Sequence, residues 1–266
     1  MITEDDRGKT EENRKDLSII MPCRNEENTV VLCIDEARSV LSDNGIDGEI
    51  IVVDNASTDR SAEKILDYIE VFSKEGSEMN GCDDRTDGKG QGGCSIRLVR
   101  ESAPGYGITL RRGMSEAKGS VIIMGDCDTT YDFHDAIKIY ELLNSGEHDM
   151  VIGDRFDGGI ENGAMPVSHV FGVKALSALA GLRFHTDVRD FHSGLRGFTR
   201  ETYDNIRDSL NTDGMEFATE MIAVAAKRGL RIGQTPVKLR KCMQERKSKL
   251  RAIRDGLRHL GYIFRG

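Results

Sequence analysis

Residues 121–133 read VIIMGDCDTTYDF, a short apolar run that ends at Asp126 and, one residue later, offers a second carboxylate at Asp128. A run of this length bounded by a polar loop is the mark of a buried strand, and the acids sit at its exposed mouth. Similar runs recur at LSIIMP (17–22), EIIVVD (49–54), SIRLVR (95–100) and DMVIGDR (149–155), each followed by a polar loop. Longer stretches of helical period separate them. This alternation predicts an α/β domain with a mostly parallel, Rossmann-like sheet flanked by crossover helices. The first helix is expected over Thr29 to Leu41 with Asn28 as its cap, and the second over Ser61 to Phe72.

The 266 residues suffice for one large domain with a substantial core. No segment approaches the roughly 18 consecutive apolar residues of a membrane-spanning helix. The first sixteen residues, MITEDDRGKTEENRKD, are charged and lack the apolar stretch of a secretory signal, so the expectation is a disordered leader and a cytoplasmic chain. The rest divides into a main domain over 17–240 and a basic tail over 241–266, with a glycine-rich polar surface insertion at 74–94. Gly88, Gly90 and Gly93 in that insertion form a G-x-G-x-x-G that precedes a strand instead of joining a strand to a helix, which argues against a dinucleotide site. Cys23, Cys33, Cys82, Cys94, Cys127 and Cys242 include no Cys-x-x-Cys pair, so neither a zinc site nor a redox motif is expected. A formal net charge of -8 excludes generic nucleic-acid binding, yet from Lys227 onward bases far outnumber Glu245 and Asp255.

In open α/β sheets ligands bind at the carboxyl ends of the strands, where this chain collects Glu26, Asp54, Asn55, Asp126, Asp128, Asp154 and Arg155. One such acid alone is more often a turn former or a cap, but the clustering favours a single site. Two carboxylates spaced by one residue suit a hard divalent cation, Mg²⁺ or Mn²⁺, with water and a diphosphate completing the shell. A calcium loop starting at Asp126 fails, because Tyr131 stands where glycine is required and Ile137 where glutamate is required.

MPCRNEEN, VVDNASTD, GDCDTTYDF, GDRF and DFHSGLRGF come in the order and approximate spacing of family 2 glycosyltransferases of the GT-A fold. The chain resembles in particular the polyprenyl-phosphate hexose synthases, the group that includes dolichol-phosphate mannose synthase, over about residues 17–250. The resemblance implies that Pro22 and Glu26 hold the ribose of a nucleotide sugar and that Asp54 and Asn55 lie beside the base. It implies a metal on Asp126 and Asp128, with Thr130 as a further ligand where relatives carry Gln. Asp190, with Ser193, Gly194 and Arg196, would line the reacting centre, and Arg155 would face an acceptor phosphate. RKCMQERKSKL resembles the family's basic element that closes over the phosphates, which nominates Arg246 and Lys249.

The function implied is metal-dependent, inverting transfer of a hexose from a UDP- or GDP-sugar to a polyprenyl (dolichyl or undecaprenyl) phosphate. The alternatives are the same fold glycosylating a sugar or small hydroxyl compound with Asp190 as base, and a catalytically silent nucleotide-sugar-binding or adaptor protein. A lipid substrate requires contact with the cytoplasmic face of a membrane, and two segments offer it. One is VFGVKALSALAGLRF (170–184); the other carries Leu250, Ile253, Leu257, Leu260 and Phe264 at helical spacing beside Arg251, Arg254 and Arg258. The competing reading of the second is a C-terminal helix docked on the protein's own core.

Overall fold

The computed structural model describes residues 15–80, 93–243 and 249–265, with side chains outside 75–80 and 249–253. The 1–14 leader, the 81–92 part of the insertion, and Arg246 with its neighbours lie outside the described residues.

Seven strands form one sheet: β1 (Lys15–Cys23), β2 (Gly48–Asp54), β3 (Ser95–Arg100), β4 (Gly119–Met124), β5 (Met150–Asp154), β6 (Arg196–Thr199) and β7 (Ile232–Pro236). Their order is β3-β2-β1-β4-β6-β5-β7, and only β6 runs antiparallel to its neighbours. The five strands expected from the apolar runs are all present. β6 (RGFT) and β7 (IGQTP) carry no apolar run of their own, which is why the sequence leaves them unmarked. The N-terminal end of the domain also lies earlier than expected, since Lys15 and Asp16 already belong to β1.

Nine α-helices connect and cover the described strands: α1 (Val30–Asp43), α2 (Ser61–Asn80), α3 (Tyr106–Glu116), α4 (Ala136–Asn144), the single turn α5 (Arg155–Gly158), α6 (Val167–Phe184), α7 (Arg200–Ile206), α8 (Phe217–Lys227) and α9 (Lys249–Arg265). α2 runs eight residues past Phe72 and takes up the first part of the expected insertion, with Lys74 paired to Glu70 one turn back. Thr29, not Asn28, precedes α1, and its hydroxyl donates to Glu26 instead of capping the helix.

Alternate residues of the strands feed two cores. Leu17, Ile19, Met21, Ile50, Val52 and Ile123 pack with Ile34, Ala37 and Leu41 of α1 and Ile139 and Leu143 of α4. Ile20, Ile51, Val53, Ile122 and Met124 pack on the other side with Leu110 and Met114 of α3 and Phe217, Met221 and Ile222 of α8. Burial on both faces explains the continuous apolar runs. Between β1 and β4 the strand order reverses, because the chain moves outward through β2 and β3 and then crosses back. Such a switch point leaves a crevice at the carboxyl ends of the strands, and Glu26, Asp54 and Asp126 stand at its rim.

Candidate active site

The loops after β1 and β2 clasp each other. Asn25 Oδ1 accepts from the Thr58 amide at 2.7 Å, and the Glu26 amide donates to Ser61 Oγ at 2.8 Å. Asn25 and Ala56 sit at positive φ, a conformation that a clasp of this kind has to hold in place. Glu26 is buried, with Oε2 accepting from Thr29 Oγ1 at 3.1 Å. Asp54 is also buried, and its Oδ1 has no hydrogen-bond partner among the described residues. An acceptor left unpaired at a crevice wall asks for a donor from outside. Pro22, at the end of β1, offers its carbonyl to the Cys127 thiol at 3.1 Å.

Asn55 departs from the expectation. Its Nδ2 donates to the carbonyls of Glu101 (3.1 Å) and Ala103 (2.7 Å), and its Oδ1 accepts from the Gly105 amide at 3.0 Å. Both ends of the amide are engaged by the 101–105 loop, so Asn55 shapes the crevice wall and is not presented to a base edge.

After β4, Asp126 is half-buried and Asp128 is 4% exposed. Tyr106 at the start of α3 hydrogen-bonds Asp126, and burial, then that carboxylate, push its phenol well up. Asp126 Oδ2 lies so close to Gly194 that a Cβ built there would approach it to 2.4 Å. The Gly194 amide donates to Tyr131 Oη at 2.7 Å. Thr130 was expected as a third ligand, but its hydroxyl and its amide both donate to Asp128 Oδ1, at 2.5 and 3.1 Å. Its part is to orient that carboxylate. Thr129, between them, is held at φ 64, an uncommon conformation for a β-branched residue.

Among the described residues no three His, Cys, Asp or Glu side chains converge as a metal cage. A pair of carboxylates without soft ligands suits Mg²⁺ or Mn²⁺, cations that keep waters and share substrate phosphates instead of filling an all-protein site. The donor set therefore fits the implied ion.

Asp190 lies deeper, with no exposed surface. Arg155 grips it with a fork, Nε to Oδ2 at 2.6 Å and Nη2 to Oδ1 at 2.7 Å. The expectation that Arg155 faces an acceptor phosphate is corrected by this pairing, which spends the guanidinium's fork inside the protein. Next to it the exposed Arg189 pairs with the buried Asp154 at 2.8 Å and with the exposed Asp157 at 3.5 Å. Ser193 is fully buried with its hydroxyl directed to the Leu195 carbonyl, and Arg196, also fully buried, donates to the carbonyls of Phe191, Ser193 and Ala218. These two brace the loop from beneath and do not open onto the crevice. Tyr106 and Tyr131 enter the candidate site unannounced by the sequence. Tyr131 lay inside the opening stretch, and its position one turn beyond the acids was the available signal.

α6 and α9 pack on each other along one side of the domain. α6 exposes Val167, Phe171 and Leu182, and α9 exposes Leu257 and Phe264. The expected apolar stripe is split: Leu257 and Phe264 face outward, Leu260 is half-buried, and the side chains of Leu250 and Ile253 lie outside the described residues. The buried face of α9 is made by His259 and Ile263. Lys249 opens the helix, with its side chain outside the described set. Among the described residues no helix is long and apolar enough to cross a membrane.

The fold is similar to that in the crystal structure of glucosyl-3-phosphoglycerate synthase from Mycobacterium tuberculosis in complex with Mn²⁺, UDP and phosphoglyceric acid. The TM-score is 0.65 at 19% identity, over 99% of this chain and 82% of that one. The likeness shows that the seven-stranded sheet and its helices have the GT-A architecture. The sequence model of Glycosyl transferase family 2 matches residues 18–207, and the chain belongs to that family. It is 32% identical over 248 residues to the low-salt glycan biosynthesis hexosyltransferase Agl6 of Haloferax volcanii, spanning 93% of this chain and about half (52%) of that protein. It is 28% identical to the dolichyl-phosphate hexose transferase of the same organism, over 90% of this chain and 89% of the relative. It is 25% identical to the human dolichyl-phosphate beta-glucosyltransferase, over 79% and 63%.

Proposed function

We propose that this glycosyltransferase moves a hexose from a UDP- or GDP-sugar to a polyprenyl phosphate, with inversion, using Mg²⁺ or Mn²⁺ at a membrane surface. The observation that carries the acceptor class is the closed Arg155–Asp190 pair. A hydroxyl acceptor has to lose a proton as it attacks, so it needs a base within hydrogen-bond reach. Asp190, the candidate for that work, is sealed from solvent with both oxygens on a guanidinium. A phosphate acceptor is already ionised near neutral pH and attacks without a base. Relatives named for dolichyl phosphate support the same acceptor, and the Mn²⁺ and UDP of the mycobacterial complex support the donor side.

In this reading Glu26 takes the ribose, and the unpaired Oδ1 of Asp54 accepts an N–H of the base, which uracil and guanine both present. Asp126 and Asp128 hold the cation, whose chemistry is to offset charge on the departing diphosphate. Tyr106 and Thr130 fix the two carboxylates, and the Arg155–Asp190 pair sets the floor against which the sugar is oriented. The acceptor oxygen forms its bond to the anomeric carbon from the face opposite the nucleoside diphosphate as the bond to that leaving group breaks. Beside Arg155 and Asp190 a cavity of about 770 Å³ opens, lined by Phe156, Lys174 and Leu182 and flanked by Arg189. Asp154 and Asp157, on the same wall, already engage Arg189, so Lys174, whose ammonium lies 4.8 Å from the centre of the Phe156 ring, replaces Arg155 as the group for a lipid phosphate's head. The exposed apolar residues of α6 and α9, with Arg254 and Arg258 beside them, would rest on the headgroups.

The test is a product assay by mass spectrometry on purified protein with Mn²⁺ or Mg²⁺, a panel of UDP- and GDP-sugars and a short polyprenyl phosphate in detergent. A glycosyl phospholipid that chelator abolishes is the expected product. Asp126→Asn and Asp128→Asn should each lower its rate at least about 100-fold with the fold intact. Nucleotide release without lipid product would move the acceptor to hydroxyl compounds, and donor binding without consumption would leave a silent binding protein.

A further inference from the structure

After β7 the chain turns back across the mouth of the sheet and lies over the Asp126-to-Phe133 loop. Leu239 bridges Tyr131 on one side and Ile160 on the other. The Arg240 amide donates to the Thr130 carbonyl at 2.8 Å, and the Cys242 thiol reaches the Asp128 carbonyl at 3.5 Å. The Arg240 side chain then spans two elements. Nη1 donates to Glu36 Oε1 of α1 at 2.6 Å, and Nη2 forms an ion pair with Asp132 Oδ2. Glu36 in turn accepts from the Phe133 amide at 3.3 Å through its second oxygen.

The contacts to Asp128, Thr130, Tyr131, Asp132 and Phe133 converge on one loop, in which Thr129 is held left-handed. A β-branched residue in that conformation relaxes unless its neighbours hold it. If Thr129 relaxed, the Thr130 amide and hydroxyl would leave Asp128 Oδ1, and the carboxylate would lose its fixed direction. Two acids from different elements, meeting one guanidinium beside the turn, supply the restraint.

We propose that Arg240 is a positioning residue for the Asp126-x-Asp128 site: by bridging Glu36 and Asp132 it holds the turn at Thr129 that aims Asp128. The proposal rests on the reading of Asp126 and Asp128 as metal carboxylates. Arg240 touches neither of them, so it acts through the loop. Partners one step removed from a metal ligand typically cost 10–100-fold in affinity when removed.

The test compares wild type with Arg240→Gln, Arg240→Lys and, as a control remote from the site, Arg231→Gln, which breaks a comparable two-point pair with Asp149. Mn²⁺ binding in the presence of UDP or GDP is followed by the electron paramagnetic resonance signal of the free ion, and amide exchange at Thr130 by hydrogen–deuterium exchange. Arg240→Gln should weaken Mn²⁺ binding about 10-fold or more and speed exchange at Thr130. Arg240→Lys should recover part of both, and Arg231→Gln should change neither. Unchanged Mn²⁺ affinity in a folded Arg240→Gln overturns the proposal, whatever the exchange shows. If Arg240→Gln does not fold, Glu36→Gln, which removes one of the two anchors, takes its place under the same criteria. A wild-type protein that binds no Mn²⁺ with either nucleotide defeats the metal reading itself. Exchange at Thr130 then decides alone whether Arg240 orders the turn, and equal exchange in wild type and Arg240→Gln overturns it.

Discussion

Gly194 shows how narrow the tolerance of this site is at the scale of one atom. A methyl group there would meet Asp126 Oδ2 at 2.4 Å and the Tyr131 ring at 3.0 Å. Gly194→Ala should therefore displace the carboxylate and cut glycosyl transfer by roughly 100-fold while circular dichroism stays native, because the clash falls on a side chain and not on the sheet. The two imidazoles behind the site lead to a different measurement. His192 and His259 meet edge to face at 4.2 Å, and neither ring nitrogen of His192 has a partner among the described residues. Burial, then Arg196, holds the His259 pKa down to about 4; burial, then His259, Arg155 and Arg196, pushes that of His192 well below the ordinary imidazole value. The unfolded chain takes up these protons near pH 6.5 and the folded chain does not. Stability is thus complete above that pH and falls as the pH drops from about 6.5 towards 4, by roughly 2 kcal/mol at pH 5 from His259 alone. Thermal melts at pH 7.5 and pH 5 should show the loss, and His259→Gln should reduce it while leaving the part that belongs to His192.

At the scale of elements, α9 does two jobs with two faces. Ile263, 1% exposed, and His259 anchor it to the core beside α6 and α8, while Leu257 and Phe264 are 63% and 69% exposed. Substitutions should separate these roles. Ile263→Ala should cost about 2–5 kcal/mol of stability, as a buried truncation does. Leu257→Ser combined with Phe264→Ser should leave the melting temperature within a few degrees and reduce co-sedimentation with anionic vesicles several-fold. Equal sedimentation of the double variant and the wild type would remove α9 from the membrane surface. The basic, helix-period composition of this segment is plain in the sequence. Which face is buried is not, because that depends on where α6 and α8 stand.

At the scale of the whole molecule, the site is an assembly of loops that are distant along the chain and adjacent only because the strand order reverses between β1 and β4. A ligand that touches several of these loops ties them together. UDP or GDP with Mn²⁺ should therefore raise Tm by about 5–10 °C at 100 times the dissociation constant, and EDTA should abolish the shift. Much of this architecture is legible in one dimension. Strands buried on both faces must be continuously apolar, and a parallel sheet must place its polar loops at one end, so the five apolar runs determined the α/β sheet and the acids at their ends marked the crevice in which the site is proposed. The pairing of those acids was decided by tertiary structure alone. Arg155 follows Asp154 and had the look of a ligand at a strand end, yet β5 and the loop before β6 bring it against Asp190, 35 residues away, where a buried guanidinium and a buried carboxylate satisfy each other. Asn55, Thr130 and Arg240 follow the same logic. Residue type fixes what a side chain is able to bond, but the strongest partner within reach takes it, and reach is a property of the folded chain.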